Sequence, residues 1–152
     1  MVFFADRNLG RYEFPERLRA GGVDVRTHDD HCAQNAPDDV WIPQIAEQGW
    51  IILSPDQHIL RNPAELAAVM LSGAAMLCLI GGHEKTADLA SNFLNTRAKI
   101  ERFATDTAAP YIAKVYRPSP VSDIARGVPG SIKLAIDYPA WLTNRKSTGF
   151  RP

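Results

Sequence analysis

Cysteine is scarce. Cys32 and Cys78 are the two in a chain of 152 residues, and no Cys-x-x-Cys pair occurs. That excludes a disulfide framework and a cysteine-rich metal ribbon. Net charge is lacking as well, since 17 Lys+Arg balance 17 Asp+Glu. Such a balance argues against a uniformly basic nucleic-acid coat, an acidic tail or a disordered polyelectrolyte. The most apolar stretch, 66–80, is broken by Ser72-Gly73 and falls short of the ~20 residues a membrane helix needs. Met1 runs through Val2-Phe3-Phe4-Ala5 directly into Asp6-Arg7, so no secretory leader is expected. The Gly-x-Ser-x-Gly, His-Glu-x-x-His and Ser-x-x-Lys patterns are absent, and there is no internal repeat or low-complexity tract. What remains is the expectation of a soluble, cytoplasmic protein without membrane contact. At 45% hydrophobic and 22% charged residues, it has the composition of one ordinary globular domain.

Apolar runs and turn residues give the order of elements. Residues 2–5 and 23–27 read as short strands, separated by a helix that carries Phe14 and Leu18 and stops at Gly21-Gly22. The polar stretch 29–37 reads as a loop. Residues 38–48 place Trp41, Ile42 and Ile45 on one helical face, and 50–53 form a continuous apolar strand. Asn62-Pro63-Ala64-Glu65 is a helix start, with Asn as cap, Pro at the first position and Glu at the third. That helix ends near Gly73. A strand over 74–80, a long helix over 84–103 and a last strand over 111–116 complete the order. Strands alternating with helices imply a parallel sheet covered on both faces, with ligands at the carboxyl ends of the strands.

Those ends are acidic. Asp6 follows the first strand, Asp29 and Asp30 the second, and Asp56 the third, while Asp38 and Asp39 open the helix before the third strand. Crowded carboxylates call for a cation, and oxygen ligands suit Mg2+ or Mn2+. Such an ion polarises a phosphate and activates water, the chemistry of phosphodiester hydrolysis. Each acid also has a plainer reading: Asp38 as a helix cap, Asp56 as a turn residue. Asp6 is harder to set aside, because an acid directly after an apolar strand is costly to bury without a partner. His28-Asp29-Asp30-His31-Cys32 is too compact for the usual zinc spacing and reads as a polar loop. Gly81-Gly82 lacks a full phosphate-loop pattern and reads as a tight turn.

An ordered set of segments then stands out: Val2-Phe3-Phe4-Ala5-Asp6-Arg7-Asn8-Leu9-Gly10, Thr27-His28-Asp29-Asp30, Asp38-Asp39-Val40-Trp41-Ile42, Gly49-Trp50-Ile51-Ile52-Leu53-Ser54-Pro55-Asp56 and Arg61-Asn62-Pro63-Ala64-Glu65-Leu66. It resembles the PIN-like domain family, specifically its VapC-like branch of compact toxins, over residues 2–117. The resemblance implies a three-layer α/β/α PIN-like (Rossmann-like) domain with a mainly parallel central sheet. It implies a metal-dependent endoribonuclease, commonly the toxin of a type II toxin–antitoxin pair, with RNA as substrate, a cognate antitoxin protein as partner and a homodimer as the expected assembly. By the same resemblance Asp6, Asp38 and Asp56 are the catalytic and metal-binding acids, with Mg2+ or Mn2+ as the ion. Asp39 competes with Asp38, and Asp29 or Asp30 can supply a fourth acid. Ser54-Pro55-Asp56 stands where the family has Thr-x-Asp, and Asn8 where related branches carry an acid. Arg7, Arg61, Asn8 and Ser54 are the candidates for holding the substrate phosphate.

Two other classes fit the residues. A phospho-acceptor receiver-like domain shares the alternation, but one carboxylate follows strand one where receivers place a pair, and Lys114 is not followed by Pro. A non-catalytic PIN-like module that binds a partner protein is the other. Charge divides the chain near Pro118-Ser119-Pro120: residues 1–117 hold 12 basic and 15 acidic groups, and 118–152 hold five and two. The reading is therefore a PIN-like domain over 1–117 and a basic C-terminal extension over 118–152. The extension is either disordered or packed on the body as an extra strand over 132–136. Arg11 near the cleft, and Tyr138, Trp141 and Phe150 in the extension, are further candidates for touching RNA.

Overall fold

A computed structural model describes residues 1–10, 12–33, 35–81 and 85–147. Strands β1 (Phe3–Ala5), β2 (Val25–Thr27), β3 (Ile51–Ser54), β4 (Ala75–Leu79), β5 (Tyr111–Tyr116) and β6 (Ser131–Asp137) form one sheet in the order β2-β1-β3-β4-β5-β6. The first five are parallel, and β6 runs antiparallel along β5 from Ser131 opposite Tyr116 to Asp137 opposite Tyr111. Strands this short and this apolar belong in the middle of a protein, where both faces are covered. Every residue of β1 and β3 is buried.

The two-residue side-chain period splits those strands between two cores. Phe3, Ala5, Val25, Leu53, Leu77, Leu79 and Val115 face α1 (Glu13–Ala20) and α5 (Thr86–Asp106), which contribute Phe14, Leu18, Leu89, Phe93 and Ile100. Phe4, Ile52, Met76, Cys78 and Ile112 face α3 (Asp38–Glu47), α4 (Pro63–Ser72) and α6 (Tyr138–Ser147), which contribute Trp41, Ile42, Ile45, Val69, Met70 and Trp141. The result is the three-layer α/β/α arrangement with a mainly parallel sheet.

Helix α4 starts as its sequence dictates. The Asn62 side chain accepts from the backbone N–H groups of Ala64 and Glu65 at 3.1 and 3.2 Å, Pro63 takes the first turn, and Gly73 ends the helix at φ 77°. The expected loop over 29–37 is different: His28–His31 winds into one helical turn, α2. Asp30 ties that turn to the end of β2, since the Thr27 hydroxyl donates to Asp30 Oδ2 at 2.7 Å.

The change of charge at Pro118 is not a boundary of the sheet. Strand β6 lies beyond it, yet completes the sheet. Gly130, just before β6, donates to Thr96 Oγ1 at 2.9 Å and accepts from Lys99 Nζ at 2.9 Å, which ties this segment to α5. Trp141 is 4% exposed in the second core. It is thus closed to base stacking, and Arg145 lies over its ring at 4.3 Å. Phe150 lies outside the described residues. Replacing Trp141 with Ala is expected to cost about 3–5 kcal/mol, the usual penalty for emptying a buried aromatic site. Urea unfolding followed by circular dichroism measures it, and deletion of residues 118–152 is expected to abolish the cooperative transition.

Candidate active site

The strand order turns at β1. The chain leaves β1 outward to β2 and returns to β3 on β1's other side, so the loops after β1 and β3 diverge to opposite faces and leave a crevice. Asp6 stands at that crevice. It directly follows β1, its backbone N–H donates to Leu53 O at 3.0 Å, and its residue is 8% exposed. Ser54, the last residue of β3, donates its hydroxyl to Asp6 Oδ2 at 3.1 Å, and the Asn8 backbone N–H reaches Oδ1 at 3.3 Å. Burial pushes the Asp6 carboxyl above its ordinary range. The two hydrogen bonds pull it back, Asp38's charge adds to the rise and Arg7's opposes it.

Asp38 opens α3 without capping it. Trp41, one turn on, donates its indole N–H to Asp38 Oδ1 at 2.8 Å. The indole is held by ring neighbours, Phe4 at 5.6 Å and His28 edge-on at 5.6 Å. A strand residue and a turn residue thus fix the direction of the Asp38 carboxylate. His28 is 2% exposed, and neither ring nitrogen has a hydrogen-bond partner. Burial holds its pKa below the usual histidine range, with the Arg7 charge adding to the fall and the charges of Asp6, Asp29 and Asp38 opposing it.

Asp56 follows β3 after Pro55. Its Oδ1 accepts the His58 backbone N–H at 2.8 Å, its own N–H donates to Ser54 Oγ at 3.1 Å, and its carbonyl accepts from Cys78 Sγ at 3.5 Å. Ser54 therefore links two acids, donating to one and accepting from the backbone of the other. It is buried, and its proton is committed to Asp6 rather than offered to a phosphate. Cys78 is fully buried, and burial pushes its thiol up to about 12, so it is a core residue and not a nucleophile.

A fourth acid went unread in the sequence. Glu65 shares a side-chain hydrogen bond with Asp38 and feels the charges of Asp38 and Asp56. Burial, that hydrogen bond and those charges raise its pKa, and His58 opposes the rise. In the sequence Glu65 passes as the reciprocal partner of a helix cap. Here Asn62 caps Glu65's backbone N–H and the carboxyl is turned to Asp38. The signal that marks it is an acid one turn into a helix whose start faces another acidic helix start.

The acids thus form a chain, Asp6–Asp38–Glu65–Asp56, linked by charge and by one carboxyl–carboxyl hydrogen bond. Asp39 is exposed beside Asp38 and has no part in that chain. Asp30 is engaged by Thr27 on α2, and Asp29 is exposed there. Of the phosphate candidates, Arg7 is exposed next to Asp6, while Asn8 and Arg61 line a polar cavity of about 640 Å³ beside Asp56. Arg11 lies outside the described residues, as do Gly82, His83 and Glu84. Among the described residues no group of three or more His, Cys, Asp or Glu side chains is arranged to hold a metal ion. The donor chemistry nevertheless fits a hard divalent cation: the four acids offer only oxygen, and two of them are pushed toward protonation by burial and mutual repulsion.

Ionised Asp6 opposes folding in the absence of metal. Its folded-state pKa is raised, so the folded chain takes up the proton before the unfolded chain as pH falls. Above that folded value the charge costs stability, and the cost disappears as pH falls through it. Asp6→Asn is therefore expected to raise Tm at pH 7 in EDTA by about 2–4 °C, the shift that ~1 kcal/mol produces in a domain of this length. The gain should shrink as pH is lowered, which thermal unfolding by circular dichroism across pH 4–7 follows.

The sequence comparisons agree with this geometry. The family model described as "PIN like domain" matches residues 1–81. The chain is similar to the Mycobacterium tuberculosis protein named "Putative ribonuclease VapC45", at 33% identity over 117 residues, which cover 74% of this chain and 84% of that protein. No solved structure matches it. A half-chain family match, a relative of this identity and coverage, and a parallel sheet with acids at its switch point lead to one conclusion: the chain belongs to the PIN-like domain family.

Proposed function

We propose that this protein is a divalent-metal-dependent endoribonuclease and the toxin member of a toxin–antitoxin pair. The observation that carries the reading is the set of four acids, Asp6, Asp38, Glu65 and Asp56, at the carboxyl edge of β1 and β3, where burial and the neighbouring carboxylates push Asp6 and Glu65 toward protonation. The relative's printed name, a VapC ribonuclease, supports RNA as the substrate and an antitoxin as the partner. No helix among the described residues is long and apolar enough to cross a membrane.

In this reading Asp6, Asp38, Asp56 and Glu65 hold Mg2+ or Mn2+. The ion supplies a Lewis acid for the phosphate and lowers the pKa of a bound water. The protein's own residues do the rest. Ser54 fixes Asp6 by its hydroxyl and the Asp56 loop by accepting that residue's N–H. Trp41 fixes Asp38. Glu65, whose pKa is raised by burial and by its acidic neighbours, is the side chain that would hold a proton beside Asp38. Arg7, beside Asp6, and Arg61, in the cavity that Asp56 lines, would meet phosphate oxygens with a guanidinium fork. Residues 1–117 carry more acid than base, so RNA is drawn in by local cations, and a flexible single strand reaches such a crevice at lower cost than a duplex.

The sheet order β2-β1-β3-β4-β5 also serves phospho-acceptor domains. Against that class, Lys114 sits in mid-strand, opposite Cys78 on one side and Lys133 on the other, rather than at the carboxyl end of β5.

Cleavage of a fluorescent single-stranded RNA should require Mn2+ or Mg2+ and stop in EDTA. Asp6→Asn, Asp38→Asn, Asp56→Asn and Glu65→Gln should each lose at least ~100-fold, and Trp41→Phe, which removes only the indole donor, about 10–100-fold. Undiminished cleavage by the Asp6 variant would end the metal-nuclease reading. Tight binding of a partner protein with no cleavage at all would favour a non-catalytic module.

A further inference from the structure

The polar cavity beside Asp56 is larger than one scissile phosphate needs. It is an open cleft of about 640 Å³, lined by Asn8, Asp56, His58, Arg61, Gly81 and Arg117, among others. That is the volume of a small-ligand site, not of a single anion. Among the described residues its lining carries two guanidinium groups and one imidazole against one carboxylate, in a body that is acidic on balance. Asp56 belongs both to this cavity and to the acid chain, so whatever fills the cavity is continuous with the reacting centre.

Arg117 is placed there by the sheet. It follows β5 directly, and Gly81 stands two residues beyond the end of β4. The two strands are still coupled at this height, since Ile80 N–H donates to Val115 O at 2.9 Å. The Arg117 side chain lies across Gly81. A Cβ on Gly81 would meet Arg117 Nε at 3.0 Å, Cδ at 3.1 Å and Cζ at 3.2 Å, and Gly81 has φ +100°. The backbone conformation therefore favours glycine at this turn, and a Cβ there would press the Arg117 side chain aside by a few tenths of an ångström. A half-buried Arg laid on a bare turn has fewer rotamers to lose on binding than one extended into water, and its planar fork suits phosphate oxygens.

We propose that this cavity is a second phosphate subsite, in which Arg117, with Arg61, grips a backbone phosphate of the RNA next to the scissile one. The proposal rests on the ribonuclease reading for its substrate. It adds a binding site on the β4–β5 side of the crevice that sets the register of the strand across the acids. Arg117 and Gly81 act there together: the arginine binds, and the glycine leaves the space in which it lies.

The experiment uses a 12-nucleotide single-stranded RNA with a 5′ fluorophore. Binding to full-length protein in EDTA is read by anisotropy at several salt concentrations, and cleavage is read separately with Mn2+. Arg117→Ala should weaken binding about tenfold, as expected for loss of a charge-assisted contact. It should also lower the slope of log affinity against log salt by about 0.7, the value for one phosphate on a single strand. In cleavage it should raise KM and leave kcat within about twofold, the mark of uniform binding. Arg117→Gln is the second neutral variant, circular dichroism checks folding, and Gly81→Ala should reproduce part of the binding loss. A series of oligonucleotides, each with one phosphate replaced by a neutral methylphosphonate, locates the contact. At one position next to the cleaved bond the replacement should weaken wild type and add nothing to the loss already present in Arg117→Ala.

If wild type binds RNA and both Arg117 variants match it in affinity and salt slope, the subsite is overturned while the nuclease reading stands. The subsite is likewise overturned if every methylphosphonate effect is additive with Arg117→Ala, or if the variants lose only affinity for a protein partner. If the Arg117 effects on affinity and salt slope appear but Mn2+ elicits no cleavage, the cavity stands as an RNA phosphate site and the nuclease reading fails. If wild type does not bind RNA, both fall.

Discussion

One hydrogen bond organises the acidic edge of this protein. Ser54 donates to Asp6 across the join between β3 and β1, and the same oxygen accepts the backbone N–H of Asp56. The two strands are neighbours in parallel register, Ala5 opposite Leu53, so their next residues emerge side by side. A hydroxyl there can serve both loops; an apolar side chain at 54 could neither donate to Asp6 nor accept from the turn at Asp56. The strand pairing sets the spacing, and the serine converts it into a fixed pair of acids.

The remaining acids come from a different structural source. Asp38 and Glu65 lie near the starts of α3 and α4, which pack against each other over the second core through Trp41, Ile42, Ile45, Val69 and Met70. Burying that apolar surface brings two acidic helix starts together, close enough for Asp38 to raise the Glu65 pKa by a side-chain hydrogen bond and by its charge. Apolar packing of this kind is worth on the order of 25 cal/mol per Å² buried, which readily outweighs the electrostatic cost of a few crowded carboxylates. The site is thus strained electrostatically and supported hydrophobically, a common arrangement where a charged ligand completes the structure.

How much of this was legible in the sequence follows from the range of the interactions. The strands, the Asn62 helix start and the acids after β1 and β3 are encoded within a few residues, by apolar runs and turn residues, and they fall where the sequence places them. Glu65 was hidden because its local role as third residue of a capped helix is complete in itself, and its second role exists only once α3 and α4 pack. Arg117 was hidden for the same reason: it follows the last parallel strand beside prolines and reads as a linker residue until β4 and β5 are set next to each other. The helical turn at His28–His31 escaped because the sequence Thr27-His28-Asp29-Asp30 reads equally as a polar loop.

The basic C-terminal segment shows that charge and architecture can divide a chain at different places. Its excess of positive residues begins after Pro118, yet Ile132 and Ile136 pack on the two cores and Trp141 is buried. Without β6, β5 would be an edge strand with a free ladder of backbone groups. With β6 paired along its whole length, β5 becomes an interior strand, and its carboxyl end is held on one side by β4 and on the other by β6. Arg117 leaves from that doubly held end. The segment's positive charge is therefore compatible with RNA binding, but its structural consequence is more specific. It pairs the open side of the strand that ends at Arg117, so that the residues after β5 leave from an interior strand of the sheet and not from its edge.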